Sequence, residues 1–155
     1  RMDHSYYMLR GSIIPQRAAG YVLAPQDNIY AYRGYLHAPF RSMTTSYASG
    51  GLGSTLNDLL IWDSALRTHH LLSEDLQKRA QTPVTLTNGQ VSSYGLGWFV
   101  ENRMGQRIAY HPGDVEGFTT LMVRFLDYSR TLILLANLSN WDLEGLAMKI
   151  YEALL

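Results

Sequence analysis

Four strand-length apolar segments, joined by connections too short to cross a sheet, constrain this chain more than any other feature. They are Tyr94–Val100, Gln106–His111, Phe118–Leu126 and Thr131–Leu138. Glu101–Gly105 and Asp127-Tyr128-Ser129-Arg130 read as turns between them. Parallel neighbours need a connection of about a dozen residues, so these segments are expected to form an antiparallel meander.

Helical spacing flanks the meander on both sides. Gly50-Gly51-Leu52-Gly53-Ser54-Thr55 reads as a backbone-dominated turn that ends in a helix cap. Thr55 as N-cap with Asp58 three residues on fits a capping box. The helix is expected to run to about Leu66, with Leu56, Leu59, Leu60 and Leu66 on one apolar stripe and Asp58 and Arg67 away from it. Ser73 is expected to cap a second, shorter helix, with Glu74 and Asp75 in its first turn, stopped before Pro83. After the strands, Asn140 or Asp142 opens a last helix. Its positions Leu143, Leu146, Ala147, Ile150, Tyr151 and Leu154 make one apolar face, expected to pack on the sheet. Helices, then antiparallel strands, then a helix make an α+β arrangement. Residues 1–50 are rich in Tyr, Gly, Pro, Ser and Arg, with short strands or extended loops expected over 12–21 and 28–35. An irregular segment that long in a compact domain is usually functional or leans on something else.

Composition removes several classes of function. Lys+Arg and Asp+Glu are both 13, and no Lys/Arg cluster appears, so a nucleic-acid partner is not expected. There are no cysteines, which excludes disulfides and thiolate chemistry. His69 and His70 are adjacent and diverge on a helix end, a poor metal pair, so neither a metal nor a cofactor is expected. No apolar run approaches the ~18 residues of a membrane helix. Arg1-Met2-Asp3-His4 leads into no signal-like apolar region, and a chain opening on Arg1 is read as a piece of a longer one.

Four segments, in this order and spacing, resemble the serine β-lactamase and penicillin-binding-protein-like hydrolases, especially the class C branch with its esterases and D-alanyl-peptidases. They are Ile13-Ile14-Pro15-Gln16-Arg17-Ala18-Ala19-Gly20-Tyr21, then Ser49-Gly50-Gly51-Leu52-Gly53-Ser54-Thr55-Leu56-Asn57-Asp58-Leu59-Leu60-Ile61-Trp62. Tyr94-Gly95-Leu96-Gly97-Trp98 is third. The fourth is Tyr110-His111-Pro112-Gly113 with Gly117-Phe118, closed by Leu134-Leu135-Ala136-Asn137. The resemblance implies the C-terminal part of a β-lactamase/transpeptidase-like fold. Residues 1–90 would be loops and helices, and 91–155 the strands and C-terminal helix of one domain spanning 1–155.

The resemblance also implies acyl transfer by a serine of an S-x-x-K motif, with the tyrosine of a Y-x-N motif. His111-Pro112-Gly113 stands where the family has K-T-G or H-x-G. His111 and Gly113 would edge the site, and Asp114 would give one oxyanion-hole N–H through its backbone. Tyr110, Pro112, Ser49, Gly50, Gly51 and Asn137 would line the substrate side. Gly113 suits a close approach of substrate to the backbone.

The chain departs from the family pattern at its centre. Asp75 and Leu146 stand three residues before the two lysines, Lys78 and Lys149, and no Tyr-x-Asn occurs. Nucleophile and base are therefore expected outside this chain, which alone should be inactive. A missing N-terminal segment would leave a sheet edge bare and open to self-association. Pro112 has neither hydroxyl nor N–H. Asp114 and Glu116 add negative charge beside it, so a small ester or amide is expected as substrate ahead of a β-lactam. The Tyr cluster (Tyr6, Tyr7, Tyr21, Tyr30, Tyr32, Tyr35, Tyr47) reads as semi-buried loop packing more than as an apolar cleft. Relatives of this kind are commonly exported, periplasmic or membrane-associated. A non-catalytic binding or interaction module that keeps the fold is the competing expectation, favoured by Pro112.

Overall fold

The computed structural model describes all residues except Arg10, Asp27, Thr45, Met104, Leu154 and Leu155. The last position of the C-terminal helical stripe, Leu154, thus lies outside the described residues. The elements are α+β, as expected. Among the described residues three α-helices, α1 (Leu56–Arg67), α2 (Glu74–Ala80) and α3 (Leu143–Ala153), accompany eight strands. Strands β1 (Tyr6–Tyr7) and β4 (Leu52–Gly53) pair with each other, as do β2 (Tyr21–Leu23) and β3 (Tyr35–His37). The main sheet has the order β5-β6-β7-β8, with β5 Phe99–Arg103, β6 Gln106–Val115, β7 Phe118–Phe125 and β8 Arg130–Ala136.

This sheet is the meander read from the sequence, with shifted strand ends: Glu101, Asn102 and Arg103, expected as turn, lie in β5, and β8 runs Arg130–Ala136 in place of the expected Thr131–Leu138. Strand β5 starts at Phe99, not Tyr94, because the glycines before it fold the chain back. Gly95 N–H donates to the Trp98 carbonyl at 2.7 Å, and Tyr94 meets Phe99 only in an isolated bridge. Strand β6 does not stop at His111. Only Glu116 and Gly117 connect it to β7, so 112–115 are taken up into the strand and His111-Pro112-Gly113 lies inside it. A connection that short requires β6 and β7 to be antiparallel. Strands β5 and β6 pair antiparallel from Arg103↔Gln106 to Phe99↔Tyr110.

The chain forms two compact units. One contains Arg1–Met2, Leu56–His111 and Leu121–Ile133; the other contains Asp3–Thr55, Pro112–Thr120 and Leu134–Leu155. In the first, Leu66, Ala80, Val100, Ile108, Ala109, Leu121 and Val123 are buried. Helix α1 presents a different face from the one expected. Leu56 and Leu60 are 48% and 53% exposed, whereas Asp58 and Asp63 are buried with Leu66. Asp63 turns inward because cations meet it there. Its Oδ1 accepts from Arg124 Nε on β7 at 3.1 Å and from Thr131 Oγ1 on β8 at 2.8 Å, and its Oδ2 accepts from Arg67. The Gln77 side-chain amide lies beside this cluster, between the Leu66 carbonyl and Arg124 Nη1. The outward leucine face borders an open depression of about 430 Å3 lined by Leu60, Ile61, Ser64, Ala65, Thr68 and His70. Ser73 caps α2 as expected, its hydroxyl accepting from Leu76 N–H at 3.4 Å.

In the second unit, Leu143, Ala147 and Tyr151 are the buried positions of α3, one turn apart. Asp142 opens that helix by accepting from Gly145 N–H at 2.8 Å. The β6–β7 turn is tied down at Gly117, whose N–H donates to Ser139 Oγ at 2.6 Å and whose carbonyl accepts from Tyr21 N–H at 3.4 Å. Gly20 and Gly117 touch so closely that a Cβ on Gly117, at φ 91°, would stand 2.8 Å from Gly20 Cα. The Arg17 guanidinium lies 5.6 Å from the ring centroids of both Phe40 and Phe118.

Candidate functional site

Strand β6 carries most of the residues the sequence singles out. Its register with β5 ends at Phe99↔Tyr110, and the strand continues to Val115. His111 and the residues after it therefore extend beyond the stretch paired to β5.

In the first unit, His111 is exposed and its Nε2 lies 2.8 Å from the Tyr94 hydroxyl. The Tyr94 ring meets the imidazole edge-on with centroids 5.8 Å apart, and Phe99 lies 5.8 Å from the imidazole. Tyr110 is half-buried, stacked on Phe99 at 5.3 Å, with the Arg103 guanidinium 5.5 Å from its ring. A stacked ring with a cation on it is a packed position.

In the second unit, Gly113 has a reason the sequence did not disclose. A Cβ there would run into Thr120 Oγ1 on β7 and make that hydroxyl turn away, so the glycine is favoured by its own sheet neighbour as well as suited to a close ligand. Asp114 is exposed. Glu116 is paired to Arg41 Nε, whose side chain is 72% exposed, so the negative field expected from Asp114 and Glu116 together is partly neutralised. Ser49 ends a short 3-10 turn, Tyr47–Ser49, and donates its hydroxyl to the Ser46 carbonyl at 2.5 Å. Gly50 follows, and a Cβ on it would lie 4.0 Å from Val115 Cγ1, which brings the glycine turn next to the end of β6. Gly51 is buried against the Tyr7 ring. The Asn137 amide donates to the Ala19 carbonyl at 3.0 Å, which ties the loop before β2 to the end of β8. Of the tyrosine cluster, Tyr30, Tyr32, Tyr35 and Tyr47 are exposed and Tyr6, Tyr7 and Tyr21 are half-buried.

Sequence reasoning missed Tyr94, Thr120 and Arg41 as partners of His111, Gly113 and Glu116. Each pairing spans a distance in sequence that carries no spacing signal. Among the described residues no group of three or more His, Asp or Glu is placed to hold a metal, and no helix is long and apolar enough to cross a membrane.

Comparison with known proteins fixes the family. The family model described as Beta-lactamase matches residues 1–155. This chain belongs to the beta-lactamase family. Within this serine hydrolase family, the chain is 32% identical over 138 residues to Penicillin-binding protein 4* of Bacillus subtilis (strain 168), covering 88% of this chain and 28% of that protein. It is 26% identical over 98 residues to a D-aminopeptidase of Gluconobacter oxydans (strain 621H), covering 61% of this chain and 19% of that protein. The octameric penicillin-binding protein homologue from Pyrococcus abyssi superposes with a TM-score of 0.75 at 22% identity, over 99% of this chain and 34% of that one. The beta-lactamase fold thus accommodates the whole chain, while the chain spans under a third of the curated relatives it matches.

Proposed function

We propose that this chain is the C-terminal portion of one β-lactamase-like domain and forms the third-motif side of a serine acyl hydrolase site. In this reading His111 and Gly113 flank the substrate on β6, and the Asp114 backbone N–H is one oxyanion donor. Tyr110, Pro112 and the Ser49-Gly50-Gly51 turn shape the substrate side. Asn137 bounds it through the loop it anchors. The nucleophilic serine, its lysine and the tyrosine motif belong to sequence outside this chain. The observation that carries the reading is β6 itself. It continues from His111 to Val115 beyond its register with β5, and an acyl substrate laid along such a strand end meets backbone and imidazole together.

The substrate class we propose is a small amide or ester; the name of the D-aminopeptidase relative supports the amide. Pro112 supplies no hydroxyl for a carboxylate. Asp114 is the exposed acid beside it, and repels an anionic group while tolerating a neutral or cationic one. One observation favours the alternative, a non-catalytic interaction module: the same Pro112 removes a polar group the chemistry commonly uses. The missing N-terminal segment, or a second copy, would pair on an outer strand of the main sheet.

The test uses the protein extended by the sequence encoded before Arg1. A serine-reactive phosphonate should label it, and it should hydrolyse a D-amino acid amide or neutral ester faster than a penicillin. The 155-residue chain alone should do neither. No labelling in the extended protein would hand the case to the interaction module, and a strong preference for penicillin would refute the substrate class.

A further inference from the structure

We infer that Tyr94 is a positioning residue for His111: its hydroxyl holds the imidazole by Nε2 in one orientation and, when the ring is neutral, in the Nδ1–H tautomer. The catalytic consequence rests on the reading above; the hydrogen bond does not.

Tyr94 is built to be still. Its N–H donates to Ser92 Oγ at 3.0 Å, and its carbonyl accepts from Val84 N–H at 3.1 Å. Its ring packs edge-on against Phe99, centroids 4.7 Å apart at 76°. Ring and backbone are therefore fixed before the hydroxyl makes any contact, and the hydroxyl sits 2.8 Å from Nε2. Phe99 touches both rings, so it sets their spacing.

The direction of the bond follows from chemistry. A phenol is a stronger acid than a neutral imidazole N–H, and the imidazole lone pair is a better acceptor than a phenol oxygen. The phenol therefore donates and Nε2 accepts, which leaves the ring proton on Nδ1. If the imidazole takes up a second proton, Nε2–H donates and the phenol oxygen accepts, so the orientation survives the change of charge. Which ring nitrogen of His111 carries the proton is thus set by a residue seventeen positions earlier in the chain.

Nitrogen-15 NMR of the imidazole in the 155-residue chain tests this directly, above the pH at which the ring is neutral. The wild-type chain should show the Nδ1–H tautomer, and Tyr94→Phe, which keeps the ring against Phe99, should shift His111 toward the Nε2–H form that free histidine prefers. A wild-type chain already in the Nε2–H form, or a tautomer unchanged in Tyr94→Phe, overturns the proposal. Because the wild-type spectrum alone can do so, the test survives a variant that folds poorly. In the extended protein, Tyr94→Phe should lower kcat and leave KM nearly unchanged; an unchanged kcat removes Tyr94 from the mechanism. An extended protein with no hydrolase activity would sink the proposed function and leave the NMR result to decide Tyr94.

Discussion

Replacing Asp63 by alanine should be among the most destabilising single changes in this chain, and the structure says by how much. Asp63 is 4% exposed, and Arg124, its partner on β7, is 6% exposed. Cutting one side of a buried ion pair leaves the other charge uncompensated, at a cost of about 3–5 kcal/mol. Thr131 would lose its acceptor, worth about 1 kcal/mol more at most. Arg67 adds little, because its side chain is 37% exposed. A domain of ordinary stability has about 5–15 kcal/mol in total, so this one change removes a large fraction of it. Urea unfolding followed by circular dichroism reads the loss as a midpoint lowered by roughly 1.5–2.5 M, for a slope near 2 kcal/mol/M. The sharper measurement pairs Asp63→Ala with Arg124→Met. Removing both charges leaves no orphan, so the double variant should recover more than half of the single loss. A loss below about 1 kcal/mol for Asp63→Ala, or strictly additive effects in the pair, would refute the claim that buried charge governs this contact.

Other changes should be read by the same assay. Gly113→Ala should cost about 1–3 kcal/mol through overlap with Thr120, and Thr120→Ala should suppress most of that cost; no suppression would mean the glycine answers to something else. Arg41→Ala should change stability by less than about 1 kcal/mol, since its side chain is 72% exposed. In the extended protein it should raise KM for an anionic substrate more than for a neutral one, and equal changes would remove Glu116 from the electrostatics of the site. Ser73→Ala should cost about 0.5–1 kcal/mol by loss of the α2 cap. A loss several times larger would mean that Ser73 holds more than its helix.

Much of this molecule was legible before any coordinates, and the legible part is local. Turn-bounded apolar runs gave the β5–β8 meander, Ser73 gave a helix start, and the Leu143–Tyr151 spacing gave a buried stripe. Failures came where a long-range partner overruled a local rule. The spacing of α1 puts leucines inside, yet Arg124 on β7 draws Asp63 there instead. Tyr94 looks like strand, yet Gly95 and Gly97 turn the chain and leave it bonded to His111. Glu116 looks like bare charge until Arg41, far away in sequence, covers it. The order and spacing of motifs made the family legible; the surroundings of His111, Gly113 and Asn137 did not show until their long-range neighbours were known.

The contact between Gly20 and Gly117 constrains the future of this sequence as well as its present shape. Two backbones meet there, and a Cβ on either glycine would also strike an apolar side chain, the Phe118 ring at Gly20 and Ala38 Cβ at Gly117. The contact discriminates by size, and any added carbon is too much. Gly117→Ala should cost on the order of 3 kcal/mol, from overlap and from its positive φ together. A saturation library selected for folding should therefore return these two positions almost unvaried, while exposed neighbours such as Ile29 and Tyr30 drift freely. As such chains diverge, that pair of glycines is what a distant copy would be expected to keep after its chemistry has changed.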